Sequence, residues 1–142
     1  MKISKQQAAI LQLCDAIELF KKERYISAIT LAAASEEVMA QILKQQSIKT
    51  GTPHFSAEEI EASLFDMSKE FLGISNYHAY RNRIKNELKH HGDLKNKNVL
   101  TGDFKQIALN HVSGAIINYK LIYGKLPNHK GILEFCADIG IS

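Results

Sequence analysis

The sequence has little cysteine and no long apolar run, and both shortages narrow the class of protein. Its two cysteines, Cys14 and Cys136, lie far apart and form no CxxC pair. Because both stand among apolar neighbours, we interpret them as reduced core cysteines and not as a disulfide. No apolar run approaches about 18 residues, so no membrane-spanning segment is expected. The first residues turn polar at once and lack a small-residue cleavage site, so we expect a cytoplasmic protein without a signal peptide.

The net charge is also small, and several recognisable catalytic motifs are absent from the sequence. The formal net charge is +3, which is too mild to indicate nucleic-acid binding by itself but permits it. The sequence contains no glycine-rich phosphate loop, no nucleophile elbow and no Cys–His pairing. No stretch alternates with period two for long enough to form a strand, and there is no internal repeat. These absences favour an ordinary globular protein built from helices.

Apolar residues at three- and four-residue spacing, separated by capping and breaking residues, predict a helical chain. The predicted helices are one around the apolar stripe Ile10–Phe20, a second from about Tyr25 to Gln46, a third from about Ser56 to Leu72, a fourth from about Asn76 to His91, a fifth from about Asp103 to Tyr123, and a short last one around residues 132–139. Ser56 and Glu59 form a capping box, and Gly73 and Ser75 separate the third helix from the fourth. We therefore expect one all-α domain over residues 1–142, an up-and-down bundle of four to five main helices plus a short C-terminal helix.

Glu36 is unusual because it falls inside the apolar face of the second helix. On a helical wheel it lies about 20° from Tyr25, in the arc that also contains Ala32 and Met39. Its neighbour Glu37 lies at about 120°, where the polar face begins. An unpaired carboxylate in a core is strongly unfavourable, so Glu36 needs a cation or several hydrogen-bond donors. It is either a structural ion pair or a site carboxylate, and the fourth helix is the expected source of the cation.

The fourth helix carries many charges in the stretch RNRIKNELKHHG, residues 81–92. Its apolar stripe is predicted to contain Tyr80, Ile84, Leu88 and His91, and its solvated face Lys85, Lys89, His78 and Asn82. Arg83, Asn86 and His90 fall between these two faces and form what we name the polar ridge, with Glu87 beside it. A ridge of this kind is expected at a helix–helix seam or at a subunit interface.

The layout resembles the HEPN superfamily of small bacterial helical-bundle proteins over roughly residues 11–123. The resemblance rests on the alanine-rich helix RYISAITLAAASEEVMAQIL with its embedded glutamate, and on RNRIKNELKHHG as the motif-bearing helix. The family hallmark is an arginine, four to six residues and then a histidine, and Arg83 and His90 bracket six residues. The family arginine is often followed by a polar residue, where this chain has Ile84. In a second register, Lys85 replaces the arginine and Asn86 follows it, with a four-residue spacing to His90.

The resemblance implies a metal-independent ribonuclease, often a toxin paired with an antitoxin protein, that works as a homodimer with both motifs facing one cleft. His90 would act as a general acid or base toward the 2′-hydroxyl of RNA, and Arg83 would hold the phosphate. Asn86 would bind the phosphate or the ribose, and Glu36 would orient Arg83 or His90. If Lys85 is the motif cation instead, the bidentate phosphate contact of an arginine is lost.

Neither a metal nor a cofactor is expected. Glu87 and His90 form one Glu-x-x-His, but di-metal carboxylate bundles need two such pairs, and the sequence has no second one. His111 lies on the apolar stripe of the fifth helix and is interpreted as a hydrogen-bonded core histidine. The alternative function is a non-catalytic dimeric interaction module with a degenerate motif, in which Arg83, His90 and Glu36 only hold helices or subunits together.

Overall fold

The computed structural model describes residues 1–63, 77–89 and 99–142, and every regular element in these ranges is a helix. The helices are α1 (Lys5–Lys21), α2 (Tyr25–Thr50), α3 (described over residues 57–63), α4 (Tyr77–Arg81), α5 (Arg83–Lys89), α6 (Phe104–Tyr123) and α7 (Lys130–Ile139). The predicted all-α bundle is confirmed. Several residues that the sequence analysis singled out lie outside the described ranges, namely Leu72, Gly73, Ser75, His90 and His91.

Capping residues set the helix ends that later position the site. Asp103 caps α6 by accepting a hydrogen bond from the backbone N–H of Gln106 at 3.1 Å. Ser56 accepts from the backbone N–H of Glu59 at 3.2 Å, which is one half of the predicted capping box. Helix α2 ends only at Gly51, whose φ of 69° is left-handed, so the predicted end at residue 46 was four residues too early.

Helix α2 packs along both α1 and α6, and α7 closes one side of the bundle. The largest apolar cluster joins Leu13, Ala16 and Ile17 of α1, Ala32 of α2, Val112, Ala115 and Ile116 of α6, and Ile132, Phe135 and Cys136 of α7. A second cluster places Ile84 of α5 against α2 and the start of α6. The small alanine side chains of α2 permit a close approach of α6, which brings polar groups of α6 within reach of Glu36.

Both cysteines are free thiols, as predicted. Cys136 is buried in the main cluster and Cys14 is half-buried beside it. Burial raises the pKa of both thiols, and the charge of Asp15 raises the pKa of Cys14 further. Both therefore stay protonated and weakly reactive at neutral pH.

Helix α2 is, within the described ranges, the one helix long and apolar enough to cross a membrane by length and composition. Its most apolar stretch has a mean hydropathy of 1.3, and 44% of that stretch is buried inside the protein. Glu36 and Glu37 interrupt the apolar residues of this helix, so the expectation of no membrane-spanning segment stays a prediction. The apolar residues of α2 face α1 and α6, and a core helix of a soluble protein has the same composition, so the fold is compatible with a soluble bundle.

The predicted fourth helix is interrupted at Asn82, which separates α4 from α5. Ile84 is buried as predicted, whereas Tyr80 and Leu88 are 60% and 37% exposed, so the predicted apolar stripe was wrong at these two positions. Arg81 is buried instead, because its guanidinium extends between α2 and α6 and is paired there.

Candidate functional site

The buried carboxylate of Glu36 is the centre of a polar cluster inside the bundle. Glu36 is 4% exposed, as its place in the apolar arc predicted. The space for the carboxylate comes from Gly114 on α6: a Cβ there would lie 1.6 Å from Glu36 Oε2 and 2.8 Å from Arg81 Nη2. No side chain larger than a hydrogen fits between α6 and this carboxylate.

Arg81 of α4 supplies the cation that Glu36 requires. The two side chains form a bidentate pair, with Nη1 to Oε1 at 2.6 Å and Nη2 to Oε2 at 2.5 Å, and both are almost fully buried. The prediction of a partner on the fourth helix is confirmed, but the partner is Arg81 and not Arg83; the other expected partner, His90, lies outside the described residues. Arg83 lies two residues further on, which turns its side chain about 200° around the helix and away from Glu36.

The rest of the Arg81 guanidinium is also bonded within the protein. Nε donates to Glu61 Oε2 at 2.9 Å, and Nη2 also reaches the backbone oxygen of Asn110 at 3.4 Å. Burial alone would lower the pKa of Arg81, but the hydrogen bonds and charges of Glu36 and Glu61 outweigh it and raise that pKa. Arg81 therefore stays charged and has a structural role, with no donor facing solvent to bind a phosphate.

His111 of α6 completes what we name the core triad, Glu36, Arg81 and His111. The ring is fully buried, and Nδ1 lies 2.9 Å from Glu36 Oε1 and 3.3 Å from Arg81 Nη1. Because an ionised carboxylate only accepts, the shorter contact identifies Nδ1–H as the donor to Glu36. The other ring nitrogen, Nε2, has no hydrogen-bond partner in the described part of the chain. The prediction of a hydrogen-bonded core histidine is confirmed.

Two further polar groups connect the core triad to α3. Asn118 Oδ1 of α6 accepts a hydrogen bond from the backbone N–H of Ala57 at 2.7 Å, and Asn118 Nδ2 donates one to the backbone oxygen of Glu36 at 3.3 Å. Glu58 accepts from His78 Nδ1 at 2.8 Å and from Asn82 Nδ2 at 2.7 Å. Partial burial opposes ionisation of Glu58, but these hydrogen bonds and the charge of Arg81 outweigh it and hold its pKa below the ordinary value.

Of the polar ridge, Arg83 and Asn86 are described, whereas His90 lies outside the described residues. Arg83 is 40% exposed; its Nη1 contacts Glu87 at 3.5 Å and its Nη2 donates to the backbone oxygen of Thr101. Asn86 is exposed. The two residues are three apart, and so share one face of α5.

Lys85, the cation of the second register, lies in a different place from Arg83. It is half-buried and lines a cavity of about 230 Å³ together with Lys44, Glu37 and Glu58. Arg83 lines a separate cavity of about 220 Å³ between α4, α5 and α6. Lys85 is therefore more covered than the solvated face predicted for it implies.

Sequence reasoning missed Arg81 and Gly114 as members of the site. Arg81 is three residues before the core residue Ile84, so it lies only about 60° from it on the wheel. Gly114 is three residues after His111, which places it on the same buried face of α6. Both signals were present in the periodicity of the sequence.

Comparison of the chain with protein-family models, with curated proteins and with solved structures found no match. Within the described ranges, no group of three or more His, Cys, Asp or Glu side chains is arranged to hold a metal ion. The function is therefore inferred from the geometry of the core triad and of the described residues of the polar ridge, Arg83 and Asn86.

Proposed function

We propose that the protein is a metal-independent ribonuclease of the HEPN type, acting in the cytoplasm as a homodimer through Arg83, Asn86 and His90. The observation that carries the proposal is the division of labour between two neighbouring arginines. Arg81 is buried and saturated by Glu36, whereas Arg83 is half-exposed beside exposed Asn86. The buried ion pair fixes the helix, and the next arginine is left toward solvent, where it is available to a phosphate.

The proposed reaction is transesterification within RNA. The 2′-oxygen attacks the adjacent phosphorus, the bond from phosphorus to the 5′-oxygen breaks, and the products are a 2′,3′-cyclic phosphate and a 5′-hydroxyl. His90 of one protomer accepts the 2′-hydroxyl proton, and its counterpart protonates the leaving 5′-oxygen. Arg83 neutralises the phosphate oxygens with a planar fork that Glu87 holds in place. Asn86 donates a hydrogen bond to the phosphate or the ribose.

Glu36 has a positioning role in this site. Glu36 acts through Arg81 and so fixes the position of α4 and α5, and it does not contact Arg83. A homodimer is part of the proposal because one polar ridge supplies too few groups for an acid, a base and a phosphate clamp. A toxin of this kind would be held inactive by an antitoxin-type protein partner.

One observation favours a second function, a non-catalytic dimeric interaction module with a degenerate motif. Tyr80 and Leu88 expose apolar side chains on α4 and α5, and Tyr80 lines the same cavity as Arg83 of the polar ridge. Exposed apolar groups beside a polar rim are typical of protein interfaces. In this alternative the face binds a protein and no RNA is cleaved.

Cleavage of single-stranded RNA by the purified protein in the presence of a metal chelator tests the proposal. The expected products end in a 2′,3′-cyclic phosphate. His90→Ala should abolish cleavage and Arg83→Lys should reduce it strongly, because a lysine cannot make the bidentate contact. Lys89→Ala, which removes an exposed cation from the same helix, is the matched control and should leave cleavage nearly unchanged.

The same assay decides the register of the motif. If Arg83 is the motif residue, Lys85→Ala has little effect; if the second register is right, Lys85→Ala is as damaging as Arg83→Ala. Light scattering should show a dimer at micromolar concentration. A folded dimer that leaves RNA intact would refute the ribonuclease and favour the interaction module.

A further inference from the structure

The cavity that Arg83 lines has the size of a single flat ring. It lies between α4, α5 and the first turns of α6, and its volume is about 220 Å³. Pockets for drug-sized ligands measure about 300–1,000 Å³, so this cavity is too small for a whole nucleotide or a peptide. A heterocyclic base with its sugar and phosphate left outside fits these limits.

Two side chains provide apolar surface for such a ring, an aromatic one and an aliphatic one. Tyr80 lines the cavity and is 60% exposed, which leaves its ring free to stack on an aromatic ligand. Ile107 of α6 lines the same cavity and packs on the second apolar cluster, which fixes its position. A base stacked on Tyr80 is the usual way in which proteins hold unpaired bases.

The polar side chains of the cavity carry both donors and acceptors. Gln106 Nε2 donates to Asn110 Oδ1 at 2.9 Å, so the two amides orient each other. A second N–H and the oxygen of Gln106 remain for a ligand, as do both N–H groups of Asn110. Asp103, which caps α6 through one carboxylate oxygen, also lines the cavity and can only accept. Acceptors of this kind favour a base that has an exocyclic amino group.

Arg83 connects this cavity to the polar ridge. Gly102 permits the approach, because a Cβ there would lie 3.1 Å from Arg83 Nη2 and 3.2 Å from Ile107 Cδ1. Arg81 also lines the cavity, but its side chain is 2% exposed, compared with 40% for Arg83. A phosphate attached to a base in the cavity would therefore meet Arg83 and not Arg81.

We infer that this cavity, which we name the base pocket, binds one RNA base next to the cleaved phosphate and prefers adenine to uracil. Adenine offers an amino group and an adjacent ring acceptor, the pair that a glutamine or asparagine amide reads. Uracil presents carbonyl oxygens where adenine presents its amino group, and these would face the Asp103 carboxylate. The inference rests on the proposed function, because it supplies the base specificity of that site.

Nucleotide binding tests the base pocket separately from cleavage. Titration calorimetry of the full chain with AMP and with UMP should give a dissociation constant about tenfold lower for AMP, the discrimination expected of one amide pair. Tyr80→Ala should weaken AMP binding about tenfold or more through lost stacking. Gln106→Leu should bring AMP and UMP to similar affinity.

A matched control is Tyr123→Ala, which removes another partly exposed tyrosine about 28 Å along α6 from Phe104. It should leave AMP binding unchanged. Binding of neither nucleotide at millimolar concentration, or AMP binding that Tyr80→Ala does not alter, overturns the base pocket. AMP binding with the expected preference but no RNA cleavage supports the pocket and refutes the ribonuclease. RNA cleavage without a base preference supports the ribonuclease and refutes the base pocket.

Discussion

The carboxylate of Glu36 and the guanidinium of Arg81 form a bidentate ion pair between α2 and α4, with N–O distances of 2.6 and 2.5 Å. The two residues are 45 positions apart in sequence, and both side chains are at most 5% exposed. Breaking one side of such a pair leaves an uncompensated buried charge, which is far more harmful than loss of a surface ion pair. The pair therefore fixes the position of the helix that carries the polar ridge.

Arg81→Ala should destabilise the protein by about 3–5 kcal/mol, because the buried charge of Glu36 is then unpaired. The matched control is Arg83→Ala, two residues away, whose half-exposed pair with Glu87 should contribute about 1 kcal/mol or less. Urea denaturation followed by circular dichroism measures both. Equal effects of the two substitutions would contradict the structural division between these arginines.

Replacement of Glu36 should distinguish the loss of charge from the loss of an acceptor. Glu36→Gln keeps one oxygen that can accept from Arg81 or His111, whereas Glu36→Leu leaves both donors without an acceptor. Glu36→Leu should therefore lower the free energy of unfolding more than Glu36→Gln. The same denaturation measurement tests this order, and a Leu variant as stable as the Gln variant would show that the donors are satisfied elsewhere.

Gly114→Ala should be strongly destabilising, because the added Cβ would lie 1.6 Å from Glu36 Oε2 and would displace the carboxylate from Arg81. Gly131 is the control: it also lies in a helix, but a Cβ there would only make ordinary contacts with His129. Gly131→Ala should be neutral or stabilising by up to about 1 kcal/mol. Thermal unfolding of both variants gives the comparison, and a harmless Gly114→Ala would mean that α6 and α2 readily separate at this point.

The helices and the burial of Glu36 were predictable because both depend on local periodicity. Apolar spacing and capping residues determine where a helix forms, and the wheel of one helix places Glu36 inward whatever lies opposite. The choice of its partner was only partly predictable, because periodicity places Arg81 beside the core residue Ile84 but does not place it opposite Glu36. It depends on the rotation of α4 relative to α2 and α6, and a shift of two residues along that helix exchanges Arg81 for Arg83.

The exposed Tyr80 and Leu88 show a second limit of sequence reasoning. A helical wheel shows which residues of a helix share a face, but it does not show how far the neighbouring helices cover that face. The burial of charged Arg81 also reverses the usual expectation for arginine, since the stabilising partners come from distant parts of the chain. The base pocket likewise combines residues from α4, α5 and α6.

His111 should be protonated on Nδ1 in its neutral form, because Nδ1 faces the Glu36 carboxylate at 2.9 Å and needs a hydrogen there. Long-range proton–nitrogen correlation spectra distinguish this tautomer from the Nε2–H form. In Glu36→Leu the acceptor is absent, and the preference for Nδ1–H should be lost. A native spectrum that shows Nε2–H would reverse the assignment, with Nδ1 then accepting from Arg81 at 3.3 Å.

The partners of Glu58 should make the stability of the fold depend on acidic pH. Partial burial would raise its pKa, but hydrogen bonds from His78 and Asn82 and the charge of Arg81 outweigh burial, so the pKa is lower in the folded protein than in the unfolded chain. Its stabilising contribution is therefore complete above the unfolded glutamate pKa of about 4.3, and it is lost as the pH falls through the lower folded pKa.

Glu58→Gln should accordingly be less stable than the native protein at pH 7, and the difference should shrink as the pH falls below about 4. Asn82→Ala removes the 2.7 Å hydrogen bond to Glu58, so it should raise the pKa of this carboxyl toward its ordinary value and move the loss of stability to higher pH. Thermal unfolding at a series of pH values measures both variants. A Glu58→Gln deficit that is constant with pH would show that ionisation of this carboxyl does not contribute to stability.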